Sequence, residues 1–453
     1  MSCTVINMDC RLGMSLLPEN SIDVMITDPP YGLSKQPDMQ EVLKHWLAGD
    51  DYKASGGGFM GKTWDSFVPG PATWREAYRA LKPGAYAAVF AGSRTVDLMS
   101  ISLRLAGFEV VDMMHWLYGT GFPKGMDIAK AIDKQNGAGN LREMELEFTA
   151  WFRENIVIPP KLINQVLGVS GMASHYMTDK SQPHIATRAH FEQLRPYFKT
   201  PPTDRIEYLV DFRTLGAETM AKREVIGQHD KPNAASMWSD KYEDGKASEA
   251  TAGDITKAHT SAAQDWEGWN TALKPAHEPI ILARKPLAGT YADNVLTYGT
   301  SAMNIDACRV NDRWPANVLH DGCLPEPMDR YFYSAKATKA DREDGLEGFE
   351  WHSAGEVTGG RKEGSAGLNS PRAGAGRTGG AKNVHPTVKP TELMAWLCKL
   401  LTPPGGTVLD PFTGSGSTGR GAATHAFNFL GYELDEQYAA IARARIDAVL
   451  GRC

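Results

Sequence analysis

The stretch SIDVMITDPPYG occupies residues 21–32 and is the part of the sequence that decides the fold. Its first seven residues are mostly apolar and rich in β-branched side chains, which is typical of a short buried strand. Two consecutive prolines then remove two backbone donors, so the strand must end at Asp28. The carboxylate, the prolines and the ring of Tyr31 would lie at the carboxyl end of a parallel strand, where open α/β sheets bind ligands. Pro-Pro also marks ordinary turns, so this motif alone does not choose between a site and a turn.

A second motif, TVLDPFTGSGSTG at 407–419, has the pattern of a strand, a glycine-rich turn and a helix. Its glycines would let the backbone approach a ligand closely. The next predicted strand, FNFLGYE at 427–433, ends in Glu433, an acid placed to accept hydrogen bonds from ribose hydroxyls. Nicotinamide and adenosyl cofactors both fit this pattern. A nucleoside-triphosphate loop does not, because Gly419 is followed by Arg420 and not by Lys and Ser or Thr.

Together with HPTVKP at 385–390, these motifs resemble those of the β-class DNA amino-methyltransferases, the S-adenosylmethionine-dependent family that acts on N6 of adenine or N4 of cytosine. In that class the DPPY motif precedes the recognition region and the glycine-rich motif comes last, which is a circularly permuted order. The resemblance covers about residues 1–135 and 270–450 and extends to segments seen in phage and prophage relatives. It implies a Rossmann-like methyltransferase fold, S-adenosylmethionine as the cofactor and double-stranded DNA as the partner.

The resemblance also implies roles for individual residues. The catalytic residues would be Asp28, Pro29, Pro30 and Tyr31. The cofactor residues would be Asp9, Cys10, Asp28, His385, Thr387, Lys389, Asp410, Phe412, Thr413, Gly414, Ser415, Gly416, Glu433 and Leu434. In the family the acid at the position of Asp9 lies beside the adenine of the cofactor, but a helix N-cap is an equally good interpretation of this residue.

Methyl transfer to an exocyclic amine is difficult because the lone pair of the nitrogen is delocalised into the base. Hydrogen bonds from the amine to the Asp28 carboxylate and the Pro29 carbonyl would favour a tetrahedral nitrogen, and Tyr31 would stack on the flipped base. No metal or covalent intermediate is expected, since the sequence has neither metal-ligand spacing nor a Pro-Cys nucleophile. Relatives that act on cytosine commonly have serine at the position of Asp28. The resemblance therefore implies N6-methyladenine as the product, with N4-methylcytosine as the alternative.

The composition is that of a globular protein with a large buried core. Its 453 residues are enough for two or three domains. Six scattered cysteines indicate neither a disulfide framework nor a zinc site, which is typical of a reducing cytoplasm. Neither a leader peptide nor an apolar run of membrane length is recognised, so a cytoplasmic location is expected. The net charge of −6 argues against a nucleic-acid partner unless basic residues cluster locally, as they do within 361–389.

Alternating helix and strand patterns over residues 4–134 predict an α/β fold with a doubly wound, mostly parallel sheet. The polar sequence of residues 33–66 predicts a mobile loop after the active site. Residues 273–283 are predicted to form the last, edge strands of the sheet. The predicted organisation has the catalytic half of the core at 1–135, a mainly helical target-recognition insert at 136–270, edge strands and DNA-contact loops at 271–350, a flexible glycine-rich basic loop at 351–384, and the cofactor-binding half at 385–453.

Within the insert, residues 158–177 predict two helices joined by a glycine turn, which is the spacing of a helix-turn-helix. A helical hairpin that only packs is at least as common. The insert is assigned to target recognition because of its place in the family order. The predicted DNA contacts are Ser174, His175, Lys180, Gln182 and Arg188 in the insert, and Lys336, Arg361 and Arg377 after it.

Other functions remain open at the level of sequence. The function of a nicotinamide oxidoreductase would explain the glycines and Glu433, but the DPPY motif would then have no assigned function. A DNA-binding regulator with an inactive core would be expected to have a damaged DPPY motif, and here it is intact. An RNA methyltransferase would share the motif, although the long insert favours DNA. The resemblance also implies a homodimer.

Overall fold

The computed structural model describes residues 1–32, 37–54, 65–119, 125–135, 140–169, 171–180, 182–228, 254–336, 338–357 and 380–451. These residues fall into two compact units. The first holds the described residues of Met1–Gly121 and those from Pro275 onward, and the second holds those of Phe122–Lys274.

The strands of the described residues are numbered in chain order. They are β1 (Cys3–Asn7), β2 (Ile22–Thr27), β3 (Leu81–Phe90), β4 (Glu109–Leu117), β5 (Val225–Gln228), β6 (Asp254–Thr256), β7 (His277–Arg284), β8 (Val318–His320), β9 (Tyr333–Ser334), β10 (His352–Ser353), β11 (Gly380–Ala381), β12 (Thr407–Asp410) and β13 (Asn428–Glu433). Nine of them form the main sheet of the first unit, in the order β1-β13-β12-β2-β3-β7-β4-β8-β9.

The helices are numbered in the same way. They are α1 (Cys10–Ser15), α2 (Met39–Ala48), α3 (Pro71–Ala80), α4 (Val96–Leu105), α5 (Ile128–Lys134), α6 (Leu141–Asn155), α7 (Pro160–Val166), α8 (Met172–Met177), α9 (Arg188–Leu194), α10 (Asp204–Ala221), α11 (Ser261–Gln264), α12 (Tyr291–Tyr298), α13 (Lys339–Glu343), α14 (Ala354–Val357), α15 (Thr391–Leu401), α16 (Ser417–Thr424) and α17 (Glu436–Leu450). Among the described residues, no helix is both long enough and apolar enough to cross a bilayer.

The main sheet is covered on both faces. Successive residues of a strand point to opposite faces, and in β2 Val24 and Ile26 join one apolar cluster while Met25 joins the other. The cluster around Val24 includes side chains of α15, α16 and α17, and the cluster around Met25 includes side chains of α1, α2, α3 and α4. The α/β fold with a doubly wound, mostly parallel sheet is therefore confirmed.

The main departure from the predicted sheet concerns β7. Every pairing in the main sheet is parallel except those of β7, which runs antiparallel to β3 on one side and to β4 on the other. Ile280 and Ile281 are fully buried because both faces of this strand are covered. The prediction of edge strands at residues 273–283 was wrong, since β7 is an interior strand. The edges of the sheet are β1 and β9.

The segment after the DPPY motif also differs from the prediction. Residues 33–66 were expected to form a mobile loop, but within them Met39–Ala48 forms the helix α2. Asp38 caps this helix by accepting the Gln40 N–H at 2.8 Å, and Val42 and Trp46 anchor it in the core. The spacing of Val42 and Trp46, four residues apart, is the helical signal that the polar surroundings obscured. Residues 33–36 and 55–64 lie outside the described part of the chain.

The second unit is mainly helical and has its own apolar core. Phe148, Phe152 and Phe191 are fully buried there, packed among the side chains of α6 to α10. The antiparallel pair of β5 and β6 joins residues on the two sides of 229–253, a stretch that lies outside the described residues.

The order of the strands places one crevice in the main sheet. After β2 the chain continues to β3 on one side, whereas after β12 it continues to β13 on the other side, and β2 and β12 are neighbours. The direction of chain progression therefore reverses between them. Such a switch point opens a crevice at the carboxyl ends of the two strands, which is where open α/β sheets bind ligands.

Candidate active site

The DPPY motif lies at this switch point, directly after β2. The Tyr31 hydroxyl donates a hydrogen bond to Asp28 Oδ1 at 2.7 Å, and Lys389 Nζ donates to Asp28 Oδ2 at 2.6 Å. Pro29 is buried, whereas the Asp28 side chain remains 22% exposed. The Asp28 carboxylate therefore stays accessible from the crevice while each of its oxygens has one donor from the protein.

A lysine and a second carboxylate complete this cluster. Lys389 Nζ lies 3.0 Å from Glu278 Oε2 and 3.2 Å from the Tyr31 hydroxyl. Burial alone would lower the pKa of Lys389, but Asp28 and Glu278 raise it, so the ammonium remains charged. Burial and the same two carboxylates raise the pKa of Tyr31 well above its ordinary value, so its hydroxyl remains protonated. The resemblance assigned Lys389 to the cofactor, and the structure places its ammonium against the Asp28 carboxylate.

The backbone of the motif is fixed by two buried side chains that the sequence analysis missed. The N–H groups of Tyr31 and Gly32 donate to Asp65 Oδ1 at 2.8 and 3.2 Å. The Thr95 hydroxyl donates to the Tyr31 carbonyl at 2.6 Å. These bonds hold the turn after β2 in one conformation, and no local sequence signal connects Asp65 or Thr95 with it.

Glu433 ends β13 beside the glycine-rich turn. The Gly414 N–H donates to Glu433 Oε2 at 2.8 Å, and the Asp435 N–H donates to Oε1 at 2.9 Å. Burial raises the pKa of Glu433 to about 7, and the two backbone bonds oppose this rise. A carboxylate at the end of the strand after the glycine loop is the arrangement that the sequence predicted for ribose recognition.

Asp410 lies beneath the turn and ties β12 to β2. Its Oδ1 accepts the Thr27 hydroxyl at 2.6 Å and the Phe412 N–H at 3.1 Å. Burial raises the pKa of Asp410 to about 6, while hydrogen bonds from Thr27 and Thr418 lower it. With 1% of its surface exposed, Asp410 acts within this structure as an internal link between the two halves of the site.

The turn itself needs glycine at two positions. Gly414 and Gly416 have φ values of +53° and +86°, in the left-handed region. A Cβ atom on Gly414 would lie 2.9 Å from His385 Nε2. Thr413 closes the turn, because its hydroxyl donates to the Asp410 carbonyl at 3.0 Å. Glycine at these two positions therefore lets the turn adopt left-handed backbone and pack closely against His385 and Ala442.

His385 packs between this turn and α17. Its ring meets the ring of Tyr438 edge-on with the centroids 4.7 Å apart, and its Nδ1 contacts the Thr387 carbonyl. Burial lowers the pKa of His385 to about 4, so the ring is neutral at physiological pH. The side chain of Thr387 is exposed.

The remaining predicted cofactor residues are distributed around the turn. Asp9 is the N-cap of α1 and accepts the Leu12 N–H at 3.1 Å, as the helix-cap interpretation requires. Burial raises the pKa of the Cys10 thiol to about 12. Leu434 is 69% exposed. Ser415 is buried, and its hydroxyl contacts the guanidinium of Arg445 at 3.0 Å, so only its backbone is available to a ligand. The ring of Phe412 packs edge-on against Trp74, at 5.9 Å between centroids.

In the second unit, the helix-turn-helix prediction corresponds to α7 and α8. Ser174, Lys180 and Gln182 are exposed there. His175 is more constrained, because its Nδ1 lies 3.0 Å from the Gln182 carbonyl and its ring stacks on that of His184.

Arg188 is engaged inside the second unit. It forms ion pairs with Glu192 at 3.2 Å and with Glu207 at 2.6 Å, so its charge is balanced by acids of its own domain.

Lys336, in the first unit, is exposed. The other two predicted DNA contacts lie outside the described residues, namely Arg361 and Arg377. Within the described ranges, no group of three or more His, Cys, Asp or Glu side chains is arranged to hold a metal ion.

Known proteins resemble this chain in sequence and in structure. A family model described as a DNA methylase (N6/N4) matches residues 221–444, about half of the chain. The Type II methyltransferase M2.DpnII of Streptococcus pneumoniae is 41% identical over 64 residues, which are 14% of this chain and 24% of that protein. The match thus spans about a quarter of the length of this relative.

Two solved structures were also found. The M1.HpyAVI–SAM complex aligns with a TM-score of 0.36 and 12% identity, over 98% of this chain and 99% of that chain. The cytosine-N4-specific PvuII DNA methyltransferase aligns with a TM-score of 0.41 and 11% identity, over 100% of this chain and 92% of that chain.

The fold and the site define an α/β protein with a glycine-rich loop and an acidic DPPY motif facing one crevice at a switch point. The family model gives the family. The chain belongs to the N6/N4 DNA methylase family.

Proposed function

We propose that this protein transfers a methyl group from S-adenosylmethionine to the N6 amine of an adenine flipped out of double-stranded DNA. The observation that carries the proposal is the position of Asp28. Its carboxylate follows β2, the glycine-rich turn follows the neighbouring β12, and the Thr27–Asp410 hydrogen bond at 2.6 Å links the two strand ends. A methyl acceptor and a methyl donor bound at these two ends would share one crevice.

Two features support S-adenosylmethionine as the cofactor. Glu433 presents a carboxylate at the end of β13, where it can accept hydrogen bonds from the two ribose hydroxyls. The turn at 414–416 holds Gly414 and Gly416 in the left-handed region, and a glycine-rich turn of this kind lets a cofactor lie close to its backbone. When bound, this cofactor would supply an electrophilic methyl group on a sulfonium sulfur.

The residues of the DPPY motif would prepare the amine. The Asp28 carboxylate and the Pro29 carbonyl accept hydrogen bonds from its N–H groups and favour a tetrahedral nitrogen with an available lone pair. Lys389 keeps a positive charge 2.6 Å from Asp28 Oδ2, which orients the carboxylate. Tyr31 supplies an aromatic face for the extruded base. As the new N–C bond formed, the bond between the methyl carbon and the sulfonium sulfur would break with its electron pair left on sulfur, and the nitrogen would lose one proton toward Asp28 or solvent.

Adenine is preferred to cytosine because of the side chain at position 28. A carboxylate is an acceptor only and makes charge-assisted hydrogen bonds, whereas the serine common in cytosine enzymes can also donate. N4-methylcytosine is the second candidate. A DNA-binding regulator with an inactive core is the candidate from a different class, and the intact cluster around Asp28 disfavours it.

The mainly helical unit at Phe122–Lys274 is our candidate for target recognition. Its exposed Ser174, Lys180 and Gln182 would contact bases or phosphates, and Lys336 would contribute from the other unit. We further propose that the protein acts in the cytoplasm, as a homodimer. Light scattering without DNA tests the assembly, and the mass of a monomer would exclude the dimer.

The proposed reaction is tested by expressing the chain in a host that lacks DNA methylation and digesting the host DNA to nucleosides for mass spectrometry. N6-methyladenine is the expected product. N4-methylcytosine alone would overturn the choice of base, and unmethylated DNA would overturn the proposed function.

A further inference from the structure

Glu278 belongs to the cluster of side chains around Asp28, although it is not part of any motif recognised in the sequence. It is the second residue of β7, the strand that runs against the rest of the sheet. Parallel strands bring their last residues to the edge where ligands bind, but an antiparallel strand brings its first residues there. Because β7 is antiparallel, it begins at the edge of the sheet where the crevice lies, and this places the Glu278 carboxylate in the crevice.

The contacts of Glu278 are with the same groups that contact Asp28. Its Oε2 lies 3.0 Å from the Tyr31 hydroxyl and 3.0 Å from Lys389 Nζ. The corresponding distances to Asp28 are 2.7 Å for the Tyr31 hydroxyl and 2.6 Å for Lys389 Nζ. Two carboxylates thus share one hydroxyl and one ammonium group.

The hydroxyl cannot serve both carboxylates at once. Tyr31 carries a single hydroxyl proton, so it donates either to Asp28 or to Glu278. Its raised pKa means that this proton is retained, and the shared proton has two acceptor positions 2.7 and 3.0 Å from the phenolic oxygen. The cluster therefore has two hydrogen-bonded arrangements that differ in which carboxylate accepts from Tyr31.

The choice between these arrangements matters for the chemistry. Each donor that binds a carboxylate stabilises its charge and weakens it as an acceptor for the next donor. If Tyr31 kept donating to Asp28, the incoming amine would meet a weaker acceptor. A second carboxylate within reach of the hydroxyl removes this competition.

We propose that Glu278 is a positioning residue of the proposed methyl transfer. When the target amine binds, the Tyr31 hydroxyl donates to Glu278, so that Asp28 is left to accept from the amine. Lys389 bridges both carboxylates and keeps them together despite their like charges. This role depends on the proposed function, but it concerns a residue that the DPPY motif does not include.

The alternative is that Glu278 serves only as a counter-ion that keeps Lys389 in place. The two roles differ in their dependence on the Tyr31 hydroxyl. A positioning role acts through that hydroxyl, whereas the loss of a counter-ion would still disturb Lys389 and Asp28 when the hydroxyl is absent. A double-mutant cycle between Glu278 and Tyr31 separates them, because only residues that act through one another show non-additive effects.

The experiment measures single-turnover methyl transfer to a DNA duplex that contains the mapped target site, with calorimetric binding of S-adenosylhomocysteine as the check on the cofactor site. Glu278→Ala is expected to slow methyl transfer about tenfold or more, with the affinity for S-adenosylhomocysteine unchanged. Glu278→Gln keeps an acceptor oxygen for the hydroxyl and should recover most of the rate. Tyr31→Phe removes the hydroxyl, and in that background Glu278→Ala should slow the reaction by less than about twofold further.

Glu109→Gln is the matched control. Glu109 pairs with Arg284 at 2.8 Å at the opposite end of β7, so its substitution removes a carboxylate beside the same strand far from the crevice. This control should methylate at the wild-type rate. Effects of Glu278→Ala and Tyr31→Phe that multiply independently would overturn the positioning role, as would a wild-type rate for Glu278→Ala. A wild-type protein that binds the cofactor analogue but methylates no DNA would refute the proposed function instead.

Discussion

Lowering the pH from 8 to 6 should weaken cofactor binding, because it protonates Glu433. This carboxylate is the proposed acceptor for the ribose hydroxyls, and burial raises its pKa to about 7. If only the ionised form binds well, the apparent dissociation constant grows by the factor 1 + 10^(pKa − pH). That factor is about 1.1 at pH 8 and about 11 at pH 6, so the expected loss of affinity is about tenfold.

The other acids and bases of the crevice have different ranges. The pKa of His385 is lowered to about 4 by burial, so its ring stays neutral throughout. The pKa of Asp410 is raised to about 6 by burial, so this group contributes only at the acidic end. Between pH 8 and pH 7 the change should therefore come from Glu433.

Isothermal titration calorimetry with S-adenosylhomocysteine measures this dependence directly. Glu433→Gln is the control, since its amide cannot ionise, and it should bind more weakly but equally at pH 8 and pH 7. A wild-type affinity that is constant from pH 8 to pH 6 would refute the role of Glu433, and so would a Gln variant with the wild-type slope.

The same carboxylate should affect the stability of the ligand-free protein in the opposite sense. A raised pKa in the folded state means that the native protein binds the proton more tightly than the unfolded chain. Its stabilising contribution is present below the ordinary Glu pKa of 4.5 and is lost as the pH rises through about 7. Acidification from pH 8 to pH 6 should thus favour the folded protein through Glu433 while it weakens cofactor binding.

Three further predictions concern the other parts of the molecule. Asp28→Ala should slow methyl transfer about a thousandfold, the effect of losing a contact worth roughly 3 to 4 kcal/mol in the transition state, and calorimetry should find cofactor binding almost unchanged. Residues 122–274 can be replaced by a short linker, because the Tyr118 nitrogen and the Ala276 carbonyl oxygen are only 2.9 Å apart and the cut ends can be joined. The remaining core should bind cofactor but methylate DNA without site selection. Retained specificity in methylation mapping would contradict this. Phe148→Ala should destabilise the second unit by about 3 to 5 kcal/mol in denaturant unfolding, because its side chain is fully buried. Tyr208→Ala is the control and should destabilise it far less, since that side chain is 49% exposed. Equal losses of stability would contradict the assigned core.

Much of the parallel sheet could be predicted because its signals are local. The apolar run before Asp28 is the strand Ile22–Thr27, and the run before the glycine-rich turn is Thr407–Asp410. The helix Val96–Leu105 falls within the alternating pattern predicted over residues 4–134, and its apolar spacing and the following Gly107 define it. In each case the period of the hydrophobic residues and the residue that ends the element lie within one short window.

The position of β7 could not be predicted in this way. An apolar run such as that of Ile280 to Ala283 is compatible with any buried strand, and its neighbours are chosen by pairings with residues about 170 to 195 positions away. The sequence therefore indicated a strand but not its place between β3 and β4, nor its antiparallel direction. The same information was needed to recognise Glu278 as part of the site.

The insert shows a second limit. Arg188 was chosen as a DNA contact because it is basic and lies in the recognition region. Its pairing with Glu207, which is 19 residues further along the chain, depends on how α9 packs against α10. Charge can be read from a sequence, but whether that charge is already neutralised within the fold cannot.

The hydrogen bond between Thr27 and Asp410 joins residues 383 positions apart, and it has a consequence for biosynthesis. The ribosome releases β2 long before β12, the strand that lies between β2 and β13. Until then a nascent chain has an apolar strand with one side unpaired, which is a site for aggregation or chaperone binding. The two strand ends that build the crevice meet only after residues 407–433 have emerged, so the proposed methylation of DNA cannot begin before that point.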